Sequence, residues 1–131
     1  MLTAREVMAT NLVTVAENTP IQTAMRLIVE NDITGLPVVD EEQKLVGVVS
    51  EKDMLKVLYQ PHLGDALVMD IMSTDLVTFD EDADLIDIAE SMIEGHFRRV
   101  PILRDGRIVG LITRRDIIKF VLDTRYAAPV H

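Results

Sequence analysis

Two stretches of this chain carry residues that could do chemistry together. Residues 47–53 read Gly-Val-Val-Ser-Glu-Lys-Asp, and residues 110–116 read Gly-Leu-Ile-Thr-Arg-Arg-Asp. In each, an apolar strand runs into a hydroxyl residue where a helix should begin, and a carboxylate follows three positions later. Ser50 with Asp53, and Thr113 with Asp116, thereby gather a hydroxyl, unpaired helix N–H groups and an acceptor-only carboxylate at one edge. That is the set needed to hold a sugar and a phosphate, because a ribose presents two neighbouring hydroxyl donors and a carboxylate has two oxygens to receive them. The same Ser-x-x-Asp and Thr-x-x-Asp spacings also spell capping boxes, which do no more than start a helix. The two readings are compatible.

The elements that must position these residues occur twice. At an offset of 64, Met8, Thr10, Leu12, Val13, Thr14 and Pro37 meet Met72, Thr74, Leu76, Val77, Thr78 and Pro101; after a loop one residue shorter, Val46, Gly47, Asp53 and Lys56 meet Val109, Gly110, Asp116 and Lys119. The chain divides at this level into residues 1–64 and 65–131, with Pro61 and Gly64 as helix breakers in the connection.

In the first copy, residues 12–15 predict a short strand. Thr19, Pro20 and Gln22 then supply an N-cap, a first-turn proline and a capping-box partner. Ile21, Ala24, Met25 and Ile28 follow the helical i, i+3, i+4, i+7 pattern, as do Leu85, Ile88, Ala89 and Met92 in the second copy. Apolar runs at 36–39 and 45–49, and at 100–103 and 107–112, predict hairpins buried on both faces; Asp105-Gly106 is a type I′ turn signal. A second helix closes each copy. Met54, Leu55, Val57 and Leu58, and Ile117, Ile118, Phe120, Val121 and Leu122, cover more of its circumference than one core-facing stripe requires, which predicts a homodimer interface.

Composition narrows the classes. The chain has 131 residues, 48% of them hydrophobic, no cysteine and a net charge of −9. A general nucleic-acid surface is not expected, since backbone binding relies on many Lys and Arg contacts. No apolar run approaches the ~18 residues of a membrane span, and the expectation is a soluble, cytoplasmic protein. Residues 1–70 carry five basic and eleven acidic side chains; residues 71–131 carry eight and eleven. Enzyme signatures are missing: there is no phosphate loop, no Gly-x-Gly-x-x-Gly and no Gly-x-Ser-x-Gly, and His62, His96 and His131 show no metal-ligand spacing. The acidic run at Asp80, Glu81, Asp82 and Asp84 could attract a divalent cation, but carboxylates are also expected at a helix start.

A tandem order of strand, helix, strand, strand, helix, with Pro-Val-Val-Asp in the middle and Gly-x-x-Ser/Thr-x-x-Asp at the end, closely resembles a pair of CBS domains, or Bateman module, over about residues 7–58 and 71–122. The resemblance implies an α/β (α+β) fold in which two repeats pack through their sheets about a pseudo-twofold axis. It also implies two clefts for adenosine compounds such as AMP, ADP, ATP or S-adenosylmethionine, and a regulatory, non-enzymatic module acting on an unknown regulated protein. Carried onto this chain, Asp53 and Asp116 would bind ribose hydroxyls, with Ser50 and Thr113 beside the ribose or phosphate. The base would lie near Thr14 or Thr78, and against Ile33, Gly35, Leu36 and Pro37 or His96, Phe97 and Pro101. Arg98 and Arg99 fall where family members often place phosphate-binding basic residues, and Arg114 and Arg115 enter at a helix start, where their charge opposes the dipole. Thr34 and Gly35, at the corresponding place in the first copy, are uncharged. A ligand-free dimerisation or scaffold protein is the alternative that the resemblance leaves open.

Overall fold

The computed structural model describes residues 1–127. It is mixed α+β, and each sequence copy builds a three-stranded sheet and two helices. The first copy runs β1 (Val15–Ala16), α1 (Ile21–Glu30), β2 (Gly35–Val39), β3 (Leu45–Ser50) and α2 (Glu51–Leu55); the second runs β4 (Phe79–Asp80), α3 (Leu85–Gly95), β5 (Arg99–Arg104), β6 (Arg107–Thr113) and α4 (Arg114–Arg125). In both sheets the middle strand pairs parallel with the short first strand and antiparallel with the third. The ladders even share an irregularity, at Val38/Val39 and at Ile102/Leu103.

The compact units do not follow the halves 1–64 and 65–131. One comprises residues 13–76 and the other residues 1–12 with 77–131, so each copy is completed by the segment that precedes its sister copy. Residues 1–12 lie on the second copy, where Ala4 is wholly buried, Ala9 and Leu111 exchange backbone hydrogen bonds, and Leu85 N–H bonds the Leu2 carbonyl. The connection does the same for the first copy. There Ser73 and Val48 exchange backbone bonds, and Ile21 N–H bonds the Ala66 carbonyl.

This exchange corrects the expected start of α1. The cap position is Pro20 with no side-chain cap bond, and Gln22 Nε2 donates to the Gly64 carbonyl at 3.1 Å instead of closing a capping box. The reason is that the connection already serves this end: Val68 N–H bonds the Thr19 carbonyl while Ala66 takes the Ile21 N–H, so the orphan donors of the first turn need less help. In the second copy Asp84 Oδ1 accepts from Ile86 N–H at 2.9 Å and is a true side-chain cap.

Each unit has its own core. Ile21, Ala24, Ile28, Leu36, Val38 and Val49 close one; Leu85, Ile88, Met92, Val100, Ile102 and Ile112 close the other. Each wholly buried aliphatic side chain contributes about 1.5–3 kcal/mol relative to exposure. β2 is buried along its length, as expected of a middle strand, but β3 alternates buried with half-buried residues because it is the sheet edge. Two further expectations shift. The strand expected at 12–15 is confined to Val15–Ala16, since β1 meets only Val38 and Val39; the helix expected to reach Leu58 loosens after Leu55 into a 3₁₀ turn, Lys56–Leu58. The Asp105-Gly106 turn has φ of 52° and 79°, as a type I′ turn requires.

Candidate functional site

The hydroxyl–carboxylate pairs stand where a strand becomes a helix. In the first copy, Ser50 N–H donates to Asp53 Oδ2 at 2.8 Å, the Ser50 hydroxyl donates to the same oxygen at 3.1 Å, and Asp53 N–H donates to Ser50 Oγ at 3.4 Å. In the second, Thr113 N–H donates to Asp116 Oδ2 at 2.8 Å and Asp116 N–H to Thr113 Oγ1 at 3.1 Å. Both are complete capping boxes. Each uses a single carboxylate oxygen, Oδ2, so the cap leaves Oδ1 available as an acceptor. Asp53 is buried and Asp116 half-buried.

The strand pairing gathers further expected residues at these corners. Gly35 lies opposite Ser50 and Arg99 opposite Thr113 in the register, while the Thr34 carbonyl accepts the Glu51 N–H at 3.0 Å and the Arg98 carbonyl the Arg114 N–H at 3.2 Å. The residue two before each of these accepting carbonyls is left-handed: Asp32 has φ of 51° and His96, just past α3, φ of 58°. Phe97 folds back so closely that a Cβ on Gly95 would overlap its ring. Arg114 Nε donates to the Phe97 carbonyl at 2.8 Å, and Arg115 is exposed at the same helix start. Leu36 and Pro37, like Pro101, are buried strand residues, so only their backbone could face a ligand. Ile33 packs against the first core. Thr14 and Thr78 each stand one residue ahead of the short first strand, which meets its partner toward the end away from Gly35 or Arg99.

Among the cavities of the described residues, two of about 370 Å³ lie one in each copy, and neither is lined by Ser50, Asp53, Thr113 or Asp116. One, in the first copy, is lined by Thr14, Glu17, Asp40, Glu41 and Met69 among others. The other, in the second copy, has apolar walls of Met92, Ile93, Ile117 and Ile118 with His96 and Arg114 at its rim.

Sequence reasoning missed the use made of Glu81. It is 5% exposed, and its carboxylate receives Arg104 through two bonds, at 2.5 and 3.0 Å, and Arg5 at 3.0 Å. Hydrogen bonds from these guanidiniums, Arg104 first, hold its pKa down at about 2. The acidic run is thus a tether for the segment 1–12: Glu81 and Asp82 hold Arg5, Asp84 caps α3, and no metal-binding cluster forms among the described residues. An arginine at position 5 facing an acidic run 76 residues later carries no local signal. Only the exchanged segment brings them together.

Comparison with known proteins bears on what this doubled strand–hydroxyl–carboxylate arrangement is for. The CBS-domain family model matches residues 4–60 and 68–123, nearly the whole chain. The chain belongs to the CBS-domain family. Its two CBS repeats have the fold of solved CBS-pair proteins: CBSX2 of Arabidopsis thaliana, crystallised with AMP, is 31% identical with a TM-score of 0.86, covering 94% of this chain and 98% of that one. The CBS pair of protein MJ0100, crystallised with 5′-methylthioadenosine and S-adenosylmethionine, is 28% identical with a TM-score of 0.80, covering 92% and 95%. Inosine-5′-monophosphate dehydrogenase of Methanocaldococcus jannaschii is 34% identical over 117 residues, 88% of this chain but 23% of the enzyme. The chain spans 33 to 59% of the length of three other curated relatives. No helix among the described residues is long and apolar enough to cross a membrane.

Proposed function

We propose that this CBS pair is a regulatory, non-catalytic module of the cytoplasm that binds an adenosine compound, AMP, ADP, ATP or S-adenosylmethionine, with Asp53 and Asp116 receiving the ribose hydroxyls. The observation that carries the reading is the geometry of the caps. Each carboxylate spends one oxygen on its helix and keeps the other, beside a hydroxyl, at a corner where a strand becomes a helix. The adenosine ligands of the CBSX2 and MJ0100 structures support the class of ligand. Regulation then works by differential binding: the ligand favours whichever arrangement of the protein it binds more tightly, by the difference in affinity.

A thermal-shift panel of AMP, ADP, ATP, S-adenosylmethionine and GTP tests this. A ligand at 100 times its Kd adds about 2.7 kcal/mol if it binds only the folded protein. Stabilisation by the adenosine compounds and not by GTP is the expected result. No shift from any adenosine compound at millimolar concentration sinks the reading and leaves the second one, a ligand-free dimerisation scaffold, which the complete capping boxes and exposed apolar helices would equally serve.

A further inference from the structure

Each copy presents one face made by its two helices. In the second copy Ala89 and Ile93 of α3 and Ile118 of α4 wall the apolar cavity that carries His96 and Arg114 at its rim. The duplication puts Met25, Val29, Leu55, Asp32 and Glu51 at the equivalent places of the first copy, whose α1 and α2 likewise meet. Neither face is needed by its own core. α1 closes its core with Ile21, Ala24 and Ile28, and α3 with Leu85, Ile88 and Met92, yet Val29 and Ile93, the next residue in each helix, are 79% and 74% exposed. A single exposed aliphatic residue needs no explanation. Val29 with Leu55, and Ile93 with Ile118, repeat the same exposed apolar strip at equivalent places, which marks a contact surface.

The two faces match in outline and are opposite in charge. Asp32 and Glu51 bring two carboxylates where His96 and Arg114 bring an imidazole and a guanidinium, and Met25 stands where Ala89 leaves room in the cavity wall. Among the described residues none of these four polar side chains forms an ion pair. A face packed on its own kind would set like charges together or bury them without a partner, and both are unfavourable. A face packed on the opposite kind gives each carboxylate a cation, and the flexible Met25 side chain fills the hollow beside Ala89.

We propose that this chain dimerises through unlike faces: the α1–α2 face of one chain seats on the α3–α4 face of its partner, with Asp32 and Glu51 opposite His96 and Arg114. In a dimer with a twofold axis the same contact occurs twice. Exposed helices predict association but not which of them meet; the reversed charges supply that choice. The contact also abuts both candidate corners, because Glu51 and Arg114 are the first residues of the helices capped by Ser50 and Thr113. It does not depend on the adenosine reading.

The chain has no cysteine, so single introduced thiols report the pairing. Val29→Cys and Ile93→Cys, both exposed changes, are treated with a short bismaleimide, each variant alone and the two co-expressed with a tag on one. The co-expressed pair should give cross-linked dimers of the two variants, and each variant alone should stay largely uncross-linked. Cross-linking of either variant to itself, or none in the pair, overturns the proposal. Charge reversal gives an independent reading. Arg114→Glu and Glu51→Arg should each weaken dimerisation about tenfold or more in sedimentation, and the double variant, which restores opposite charges across the contact, should recover most of the loss. Were like faces in contact, each single change would only replace like charges by like charges. Single variants that associate as tightly as the wild type, or a double variant with no recovery, refute the pairing.

Discussion

A carboxylate that starts a helix with one oxygen can bind a ligand with the other, and the two duties respond differently to substitution. Asparagine at position 53 or 116 keeps a carbonyl acceptor for the Ser50 or Thr113 N–H and so preserves much of the cap, but it loses the charge and the second acceptor. Asp53→Asn and Asp116→Asn are therefore expected to weaken nucleotide binding by about 1.5–3 kcal/mol while the ligand-free melting temperature falls by only a few degrees. Intact affinity with a large loss of stability would show caps and nothing more. Glu81 gives a pH signature of its own. Its pKa lies at about 2 in the folded protein against an ordinary 4.5, so the folded state binds this proton less readily than the unfolded one. Its contribution is fully present above about pH 4.5 and disappears as the pH falls toward 2. Denaturant titrations of wild type and Glu81→Gln should differ at pH 7 and converge toward pH 2; a constant difference across that range would contradict the ion-pair origin of the effect.

At the scale of elements, the segments that precede each copy are structural parts of the other unit, and two glycines make that possible. Met72 lies so close to Gly47 that a Cβ there would meet its sulfur at 2.6 Å and the Ser73 carbonyl at 3.0 Å; Met8 covers Gly110 in the same way, without a backbone atom among the nearest contacts. Alanine at either glycine is expected to cost about 1–3 kcal/mol by overpacking. The rescue should differ. Adding Met8→Gly should recover much of the loss of Gly110→Ala, because all three nearest atoms, the Met8 Cβ at 2.8 Å among them, are then removed, whereas Met72→Gly should recover less of Gly47→Ala, because the Ser73 carbonyl at 3.0 Å stays in place. Double-mutant cycles on urea-unfolding free energies would measure both couplings, and equal rescue would refute the backbone argument.

At the scale of the whole molecule, the closing helices carry exposed apolar side chains. α4 has no fully buried residue, and Ile118 and Leu122 are 66% and 55% exposed; in the first copy Leu55 and Leu58 are 67% and 87% exposed. Apolar side chains in such number on two equivalent helices fit a homodimer built on them. Replacing Ile118 and Leu122 together by glutamate is expected to give monomers, or insoluble protein if the helices need the partner. Sedimentation of the wild type as a monomer at micromolar concentration would count decisively against this assembly.

What the sequence determined by itself was whatever depends on neighbours a few residues apart or on exact repetition: the duplication, the helical faces of Ile21 and Leu85, the Asp105-Gly106 turn and the Ser50–Asp53 and Thr113–Asp116 pairs. Those signals are local, since a helix turn, a two-residue hairpin loop and a capping box each close within four residues or fewer. Tertiary structure alone decided which segment completes which unit. The backbone donors and acceptors of residues 2–9 and 66–73 can pair with any exposed strand edge; the choice of 2–9 follows from where Ala4, Met8 and Arg5 find a buried core, a bare glycine and a buried carboxylate, and that of 66–73 from where Val68 and Met72 find a core and Gly47. It also decided that Glu81, which reads as one more acid in a charged run, is a buried tether, because its two guanidinium partners lie 23 and 76 residues away and no periodicity connects them.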